Sequence, residues 1–251
     1  MICIPILART TGEALKQMKS CPLLADCIEL RVDLLMDADL GTLMRNWKGR
    51  VLVTNRRREE GGGFSGTERE RIERLKQAVE LGAHYVDVEL STEEALLREV
   101  VAEVRGRNGL TRLIVSHHDL RGTPSIRELK RRLERCWALE ADIAKIVTKA
   151  NTVDDNLKTL ALLPYARRRN KPVIAFCTGE MGRPGRVLAA LLGSYMSFVC
   201  LTKGLESAPG QLTAEEMRWV LSIVTGGMRP GGPWAKAPGA HCEKSWTVQP
   251  G

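Results

Sequence analysis

The chain has 251 residues, 43% of them hydrophobic and 27% charged, with a formal net charge of +8. That length suits a single α/β barrel with a large core, and with only 4% aromatics the core must be filled by Leu, Val, Ile and Ala. Seven cysteines form no CxxC pair and stand at no metal-ligand spacing to the four histidines, Met-Ile-Cys-Ile-Pro lacks a basic leader, and no apolar run approaches bilayer length. A reducing cytoplasm is therefore the expected compartment, with no metal, no signal peptide and no membrane span.

Ile2–Leu7 reads as a short apolar strand, followed by a helix near Gly12–Lys19. Cys27–Val32 is a second strand of unusual pattern. Glu29, Arg31 and Asp33 share one parity while Ile28, Leu30 and Val32 share the other, so one face is charged and one apolar. Such a strand is either an amphipathic edge or a barrel strand whose charged face enters the lumen. Arg50–Asn55 is a third strand. It ends at Arg56 and the glycine-rich loop Glu59–Gly66, expected to be mobile and to permit close backbone approach. The loop is no P-loop, because the Gly-Lys-Ser/Thr ending is missing.

Thr67–Leu81 is a helix opened by a Thr-Glu-Arg-Glu capping box. Tyr85–Leu90 is a strand carrying Asp87 and Glu89 on one face. Ser91–Arg105 reads as a helix closed by Gly106. Thr111–Ser116 is a strand running into His117-His118-Asp119, then a turn at Gly122–Pro124 and a helix over Ser125–Leu139. Ala141–Thr148 is a strand with apolar residues of both parities and one lysine in its middle, as in a parallel strand covered on both faces. A lysine is seldom buried unless it is paired or used chemically. Desolvation would lower the pKa of Lys145 and make a carbonyl-attacking amine accessible. The competing reading is a strand-end lysine that snorkels to water.

A helix from Thr152 to about Arg168 follows, then a strand at Pro172–Cys177, the loop Thr178–Gly185 and a helix over Arg186–Gly193. Ser197–Leu201 is the last strand, and the loop Lys203–Gln211 leads to a final helix at Thr213–Val224. Strand–helix alternation implies a parallel sheet. Eight such units predict a closed (β/α)₈ TIM barrel over residues 1–225. An open doubly wound sheet would show a glycine fingerprint after the first strand, where Ala8-Arg9-Thr10-Thr11-Gly12 has none. Residues 226–251, rich in Gly and Pro, read as a short irregular tail outside the barrel.

In a barrel the loops after the strands share one face, and active sites form there. Glu29, Arg31, Arg56, Glu60, Asp87, Glu89, His118, Lys145, Arg186, Ser207 and Gln211 all fall at that rim, and such clusters of ionisable groups mark sites. His118 alone could be an ordinary loop residue, and Arg186 alone a helix cap. Basic clusters at Arg56–Arg58, Lys130–Arg132 and Arg167–Arg169 raise the question of nucleic acid. No aromatics are interleaved for base stacking, so a solvated basic surface that attracts an anionic metabolite is the better reading.

Six motifs resemble, in order and spacing, those of the type I 3-dehydroquinate dehydratases. They are Glu29-Leu30-Arg31-Val32-Asp33, Thr54-Asn55-Arg56 with Glu60-Gly61-Gly62, Val86-Asp87-Val88-Glu89-Leu90, Ser116-His117-His118-Asp119, Ala141-Asp142-Ile143-Ala144-Lys145-Ile146 and Ser207-Ala208-Pro209-Gly210-Gln211. The resemblance covers about Ile2 to Val224. It implies a lyase that dehydrates 3-dehydroquinate to 3-dehydroshikimate, the third step of the shikimate pathway to aromatic amino acids, without metal or organic cofactor. It implies that Lys145 forms an imine with the substrate ketone and that His118, rather than the adjacent His117, moves the proton. Glu60 would orient that histidine, with Asp87 assisting. Arg186 would clamp the substrate carboxylate, helped by its place at a helix N-terminus. Ser207 and Gln211 would close a lid, and Glu29, Arg31 and Arg56 would hold ring hydroxyls. Relatives of this kind are commonly homodimers. Phe176 and Thr178 depart from the family's Met-x-Met pair, and Arg57 and Arg58 replace small residues. The alternatives are another imine-forming barrel enzyme such as an aldolase, or a basic nucleic-acid-binding protein.

Overall fold

The computed structural model describes residues 1–21 and 25–226. Eight strands run in parallel: β1 (Ile2–Ile6), β2 (Cys27–Arg31), β3 (Arg50–Thr54), β4 (Tyr85–Glu89), β5 (Arg112–Asp119), β6 (Ile143–Lys149), β7 (Val173–Thr178) and β8 (Ser197–Phe198). Their hydrogen-bonded order is β7-β6-β5-β4-β3-β2-β1-β8. The remaining seam, between β7 and β8, is bridged where Tyr195 N–H donates to Val173 O at 2.8 Å. The rings of Phe176 and Phe198 face each other across it, 6.1 Å between centroids. The result is the expected (β/α)₈ barrel, nearly closed. The expected 226–251 tail lies outside the described residues except for Gly226.

The helices are α1 (Thr11–Lys19), α2 (Leu40–Arg45), α3 (Glu68–Glu80), α4 (Glu94–Gly106), α5 (Ile126–Ala138), α6 (Asp155–Leu160), α7 (Leu162–Arg167), α8 (Arg183–Leu191) and α9 (Ala214–Thr225). Local chemistry sets most of their starts. Thr67 caps α3 and Glu70 reaches back to it, completing the expected capping box, and Thr213 and Glu216 repeat the device on α9. The apolar faces pack with the outward residues of the strands into one core.

Several boundaries differ from the sequence reading, each for a local reason. The helix α2 occupies a stretch assigned no element from sequence. The single helix expected over Thr152 to about Arg168 is broken at Ala161, because Pro164 has no N–H and its ring would collide with the Leu160 carbonyl. The strand β8 is only two residues long. Cys200 leaves the barrel to pair with the segment before α9, its N–H donating to Leu212 O at 2.9 Å. The helix α4 starts at Glu94 rather than Ser91, which leaves Ser91 and Thr92 free to bond with side chains at the barrel mouth. The strand β5 runs on through Asp119, in register with β6 so that Ser116 lies beside Lys145 and His118 beside Val147. Alternation then directs Ser116 and His118 to one face and His117 and Asp119 to the other.

The glycine-rich loop after β3 is pinned, where the sequence suggested mobility. Gly63 N–H donates to Asp33 Oδ2 at 2.9 Å and Gly62 N–H to Arg57 O at 2.9 Å. A Cβ at Gly62 would lie 1.9 Å from the Arg56 carbonyl oxygen. Gly62→Ala must therefore move the backbone that carries Arg56. We expect a loss of about 1–3 kcal/mol, which in a protein of this size lowers the melting temperature by roughly 2–4 °C per kcal/mol. A calorimetric melting temperature equal to wild type would contradict the close packing at this turn.

Candidate active site

The side chains that point into the barrel from β2 to β7 converge at its C-terminal mouth, around a cavity of about 250 Å³. Nine of the residues singled out from sequence line it: Glu29, Arg31, Arg56, Glu60, His118, Lys145, Arg186, Ser207 and Gln211. The other two, Asp87 and Glu89, lie fully buried beneath them.

Lys145 is buried, with 4% of its surface exposed, and does not snorkel to water. Nor is it alone in an apolar pocket. Its Nζ donates to Asp87 Oδ2 at 2.9 Å and stands 4.2 Å from the centre of the Phe198 ring. Asp87 also takes Arg56 Nη2 at 2.8 Å and the Ser116 hydroxyl at 2.5 Å. Burial would raise its pKa, yet Arg56 and Lys145 hold its carboxyl well below the usual carboxylate range. Asp87, for which assistance to the histidine was expected, bonds directly to Lys145, Arg56 and Ser116, and the His118 ring reaches it only through charge.

His118 bonds to Glu60 alone among the carboxylates. Its Nδ1 lies 3.1 Å from Glu60 Oε2, and the same oxygen accepts the His118 backbone N–H at 2.9 Å. Ser91 holds the other Glu60 oxygen at 2.6 Å. Burial opposes the Glu60 charge, but the bonds from His118 and Ser91 and the charge of Arg56 lower its pKa to about 2. Burial, then the charges of Arg56 and Lys145, lower the His118 pKa to about 3 against a partial lift from Glu60. The imidazole is thus neutral at neutral pH. An acceptor carboxylate on Nδ1 fixes the proton there and leaves the Nε2 lone pair for a ligand. The rival His117 faces the other way, bonding through Nε2 to Arg132 of α5.

Arg31 is gripped by Asp33 through two parallel bonds of 2.9 and 2.7 Å. Arg56 is bound by Asp87, by Glu89 at 3.0 Å and by Ser116 at 2.7 Å. Glu29 accepts from Thr54 Oγ1 at 2.7 Å. These residues reach the cavity already tethered, and much of the Arg56 fork that was expected to meet ring hydroxyls is engaged by the protein.

Arg186 is the exception. The helix α8 begins at Arg183, so Arg186 lies about a turn inside it rather than at its N-terminus. Its guanidinium is 4% exposed and meets no carboxylate. Its hydrogen bonds, to Phe198 O at 3.4 Å and Pro209 O at 3.5 Å, are long, and Nε is buried without a partner. The ring of Phe176 lies under it at 4.7 Å. Burial lowers its pKa to about 10. A buried cation lacking a counter-charge is costly, and this one opens onto the cavity. No acidic side chain answers its charge. The loop expected from sequence to form a lid seats on the same wall, with Gly179 N–H donating to Pro209 O at 3.0 Å and Gln211 Nε2 to Ser207 Oγ at 3.0 Å.

Sequence reasoning gave no role to Phe198, Ser91, Ser116 or Thr54, although Thr54 and Ser116 stand inside two of the quoted motifs and their inward parity would have placed them. A single hydroxyl or ring carries no spacing signal of its own. Among the described residues, no group of three or more His, Cys, Asp and Glu side chains could share a metal ion, and no helix is long and apolar enough to cross a membrane. Much of the basic surface is engaged internally: Arg131 and Arg132 by Glu128, and Lys130 and Arg169 against the Tyr165 ring.

Known proteins resemble this chain in sequence and in fold. The 3-dehydroquinate dehydratase of Desulfotalea psychrophila is 37% identical over 201 residues, 79% of this chain and 87% of its own. That of Methanococcus maripaludis is 35% identical over 225 residues, 89% of this chain and all of its own. The solved 3-dehydroquinate dehydratase of Geobacillus kaustophilus superposes with a TM-score of 0.82 at 27% identity, covering 91% of this chain and 92% of that one. The family described as type I 3-dehydroquinase matches residues 2–228. With that match running the length of the barrel, the chain belongs to the type I 3-dehydroquinase family.

Proposed function

We propose that Lys145 carries the family's reaction as an imine. The chain is a lyase of the shikimate pathway that dehydrates 3-dehydroquinate to 3-dehydroshikimate. In our reading, Lys145 Nζ adds to the C3 carbonyl and water leaves, forming an iminium. His118 takes a proton from C2, and the released pair flows into the iminium to give an enamine. The enamine returns that pair to form the C1–C2 double bond, while the imidazolium gives its proton to the departing C1 hydroxyl. Hydrolysis of the imine then frees the lysine, so the net loss is one water. Glu60 holds the imidazole by Nδ1, with Nε2 toward C2. Arg186 receives the C1 carboxylate as a two-donor fork.

The observation that carries this reading is the buried, unpaired Arg186 guanidinium facing the same cavity as Lys145 and the His118–Glu60 pair. An aldolase shares a strand lysine and an anion site, but the names of the relatives favour dehydration. A cytoplasmic homodimer is the accompanying proposal, supported by six buried free cysteines for the reducing compartment and testable by sedimentation for the dimer.

Borohydride added with 3-dehydroquinate should leave one reduced adduct per chain. Lys145→Ala should leave none, and adduct at the wild-type level in that variant would refute the imine assignment.

His118→Ala should still be trapped while turnover falls by roughly 10²–10⁴-fold, the usual share of a positioned acid–base group. The pH profile follows from the depressed pKa of His118. Free imidazole ordinarily protonates near 6.5, but here the base form persists toward the lowered value of about 3. The acid limb of kcat/KM assigned to His118 should therefore fall well below pH 6.5. Fold stability follows the same sign. The unfolded chain binds this proton near 6.5 and the folded chain does not, so stability is whole above that pH and declines as pH falls toward 3. An acid limb at or above the ordinary imidazole value would contradict this description of the site.

Arg186→Met removes a buried charge without a partner, so its melting temperature should equal or exceed that of wild type. Its KM should rise about 10–100-fold, the equivalent of one charged hydrogen-bonded contact of roughly 1.5–3 kcal/mol. A variant that melts well below wild type and keeps its KM would make Arg186 a structural residue.

A further inference from the structure

Arg71 lies on α3 behind the barrel wall and lines no part of the cavity, yet it is fully buried. Its guanidinium donates to Glu68 at 2.9 and 2.8 Å, to Asn55 O at 3.2 Å and to Thr92 Oγ1 at 2.7 Å. Its remaining bond is to Glu89 Oε2. The other Glu89 oxygen accepts Arg56 Nη1 at 3.0 Å and the Arg57 backbone N–H at 3.2 Å. Arg56 in turn reaches Asp87 at 2.8 Å, and Asp87 accepts from Lys145 at 2.9 Å. Signs alternate along the whole line, from Glu68 through Arg71, Glu89, Arg56 and Asp87 to the reactive amine.

We propose that Arg71 is a positioning residue for the reaction. It holds Glu89 ionised and in place, so that Arg56 bridges Glu89 and Asp87 and Asp87 stays aimed at Lys145. The inference rests on the reaction proposed above. The groups facing Glu89 are Arg56 at the end of β3, Arg71 on α3, Asp87 on its own strand and Glu60 in the turn after β3. Burial first, and then the two carboxylates, raise the Glu89 pKa above its ordinary value, while the two guanidiniums and the Arg57 backbone N–H favour its charge. Removing one of the two guanidiniums tips that balance. A protonated Glu89 gives Arg56 no ionic partner on that side, and Arg56 shifts toward Asp87 at the expense of the lysine. A lysine at position 71 cannot replace the fork, since one ammonium cannot reach Glu68, Asn55 O, Thr92 and Glu89 together.

The test compares pH profiles of kcat and kcat/KM for wild type, Arg71→Lys and Thr92→Val. Arg69→Met is the control, because Arg69 lies on the same helix and pairs at the surface with Glu99. Arg71→Lys should lose up to about 10²-fold in kcat, as a displaced catalytic group does. Its KM should change far less, and its acid limb, now governed by a more readily protonated Glu89 rather than by His118, should move upward by about one pH unit relative to wild type. Thr92→Val, which removes one acceptor from Arg71, should move the limb the same way by less. An Arg71→Lys protein with a lowered melting temperature but wild-type kcat and acid limb would overturn the proposal. Should Arg71→Lys fail to fold, Thr92→Val decides by the same limb. Turnover by wild type and Arg69→Met marks the reaction itself as intact, so a result against Arg71 stays separate from a result against the imine.

Discussion

Charge alternation inside the barrel mouth is the constraint on which this site depends. Desolvating a single carboxylate or guanidinium costs several kcal/mol, and the cost is offset only when an opposite charge and good hydrogen bonds meet it. Here the offset comes from a continuous line. Lys145 meets Asp87, Asp87 meets Arg56, Arg56 meets Glu89, and Glu89 meets Arg71. Asp87, Arg56, Glu89 and Arg71 each meet more than one charged partner, and Lys145 meets Asp87. The fork of an arginine lets Arg56 and Arg71 each hold two carboxylates, and the strand register of β3 to β6 places them at bonding distance. The line also decides which atoms remain for chemistry: the lysine amine and the imidazole face the cavity, with the other groups packed around and beneath them.

Against that background the isolation of Arg186 has a meaning. Every other cation lining the cavity was provided with a carboxylate, and this one was given an aromatic ring and two distant carbonyls. On the reaction proposed above, the substrate carboxylate would supply the missing charge in a medium where that charge counts for more than in water. The lid beside it is bonded mainly to itself, Ser207 N–H donating to Gln211 Oε1 at 2.7 Å. Neither of the Ser207–Gln211 bonds involves a strand residue. Gly210 lets the lid approach so closely: its φ is +80°, and a Cβ there would lie 2.2 Å from Gly179 O. Rigidity in the charged line and adaptability at the lid are thus separated along the chain.

Most of the barrel was legible because strands, glycines and capping residues speak locally. The Thr67–Glu70 box, the both-sided burial of the lysine strand and the charged parity of β2 each had one physical reading that survived. The rim residues were legible as a set, since nine of them proved to line one cavity. What escaped were effects carried by register or by contact across elements. The continuation of β5 through Asp119 depends on pairing with β6, which no local pattern reports. Asp87 read as an aid to the histidine, and its direct bonds to Ser116 and Lys145 depend on the lateral order of β4, β5 and β6, which no local pattern reports. Arg71 sits among Glu68, Arg69 and Glu70, a run that reads as a solvated helix face. Its burial follows only from how α3 packs over the ends of β3 and β4. Arg186 was located by its loop but misjudged in its surroundings, because burial without a partner is invisible until the facing wall is known.

The account comes to one geometric claim, that a single bound molecule is held at once by the lysine and by the solitary guanidinium. A crystal structure of the protein reduced with borohydride in the presence of 3-dehydroquinate measures this directly. The account predicts a bond from Lys145 Nζ to the former C3 carbon, the carboxylate paired with Arg186, and His118 over C2 with its bond to Glu60 kept. A covalent adduct whose carboxylate lies away from Arg186, with the guanidinium still unpaired, would contradict it.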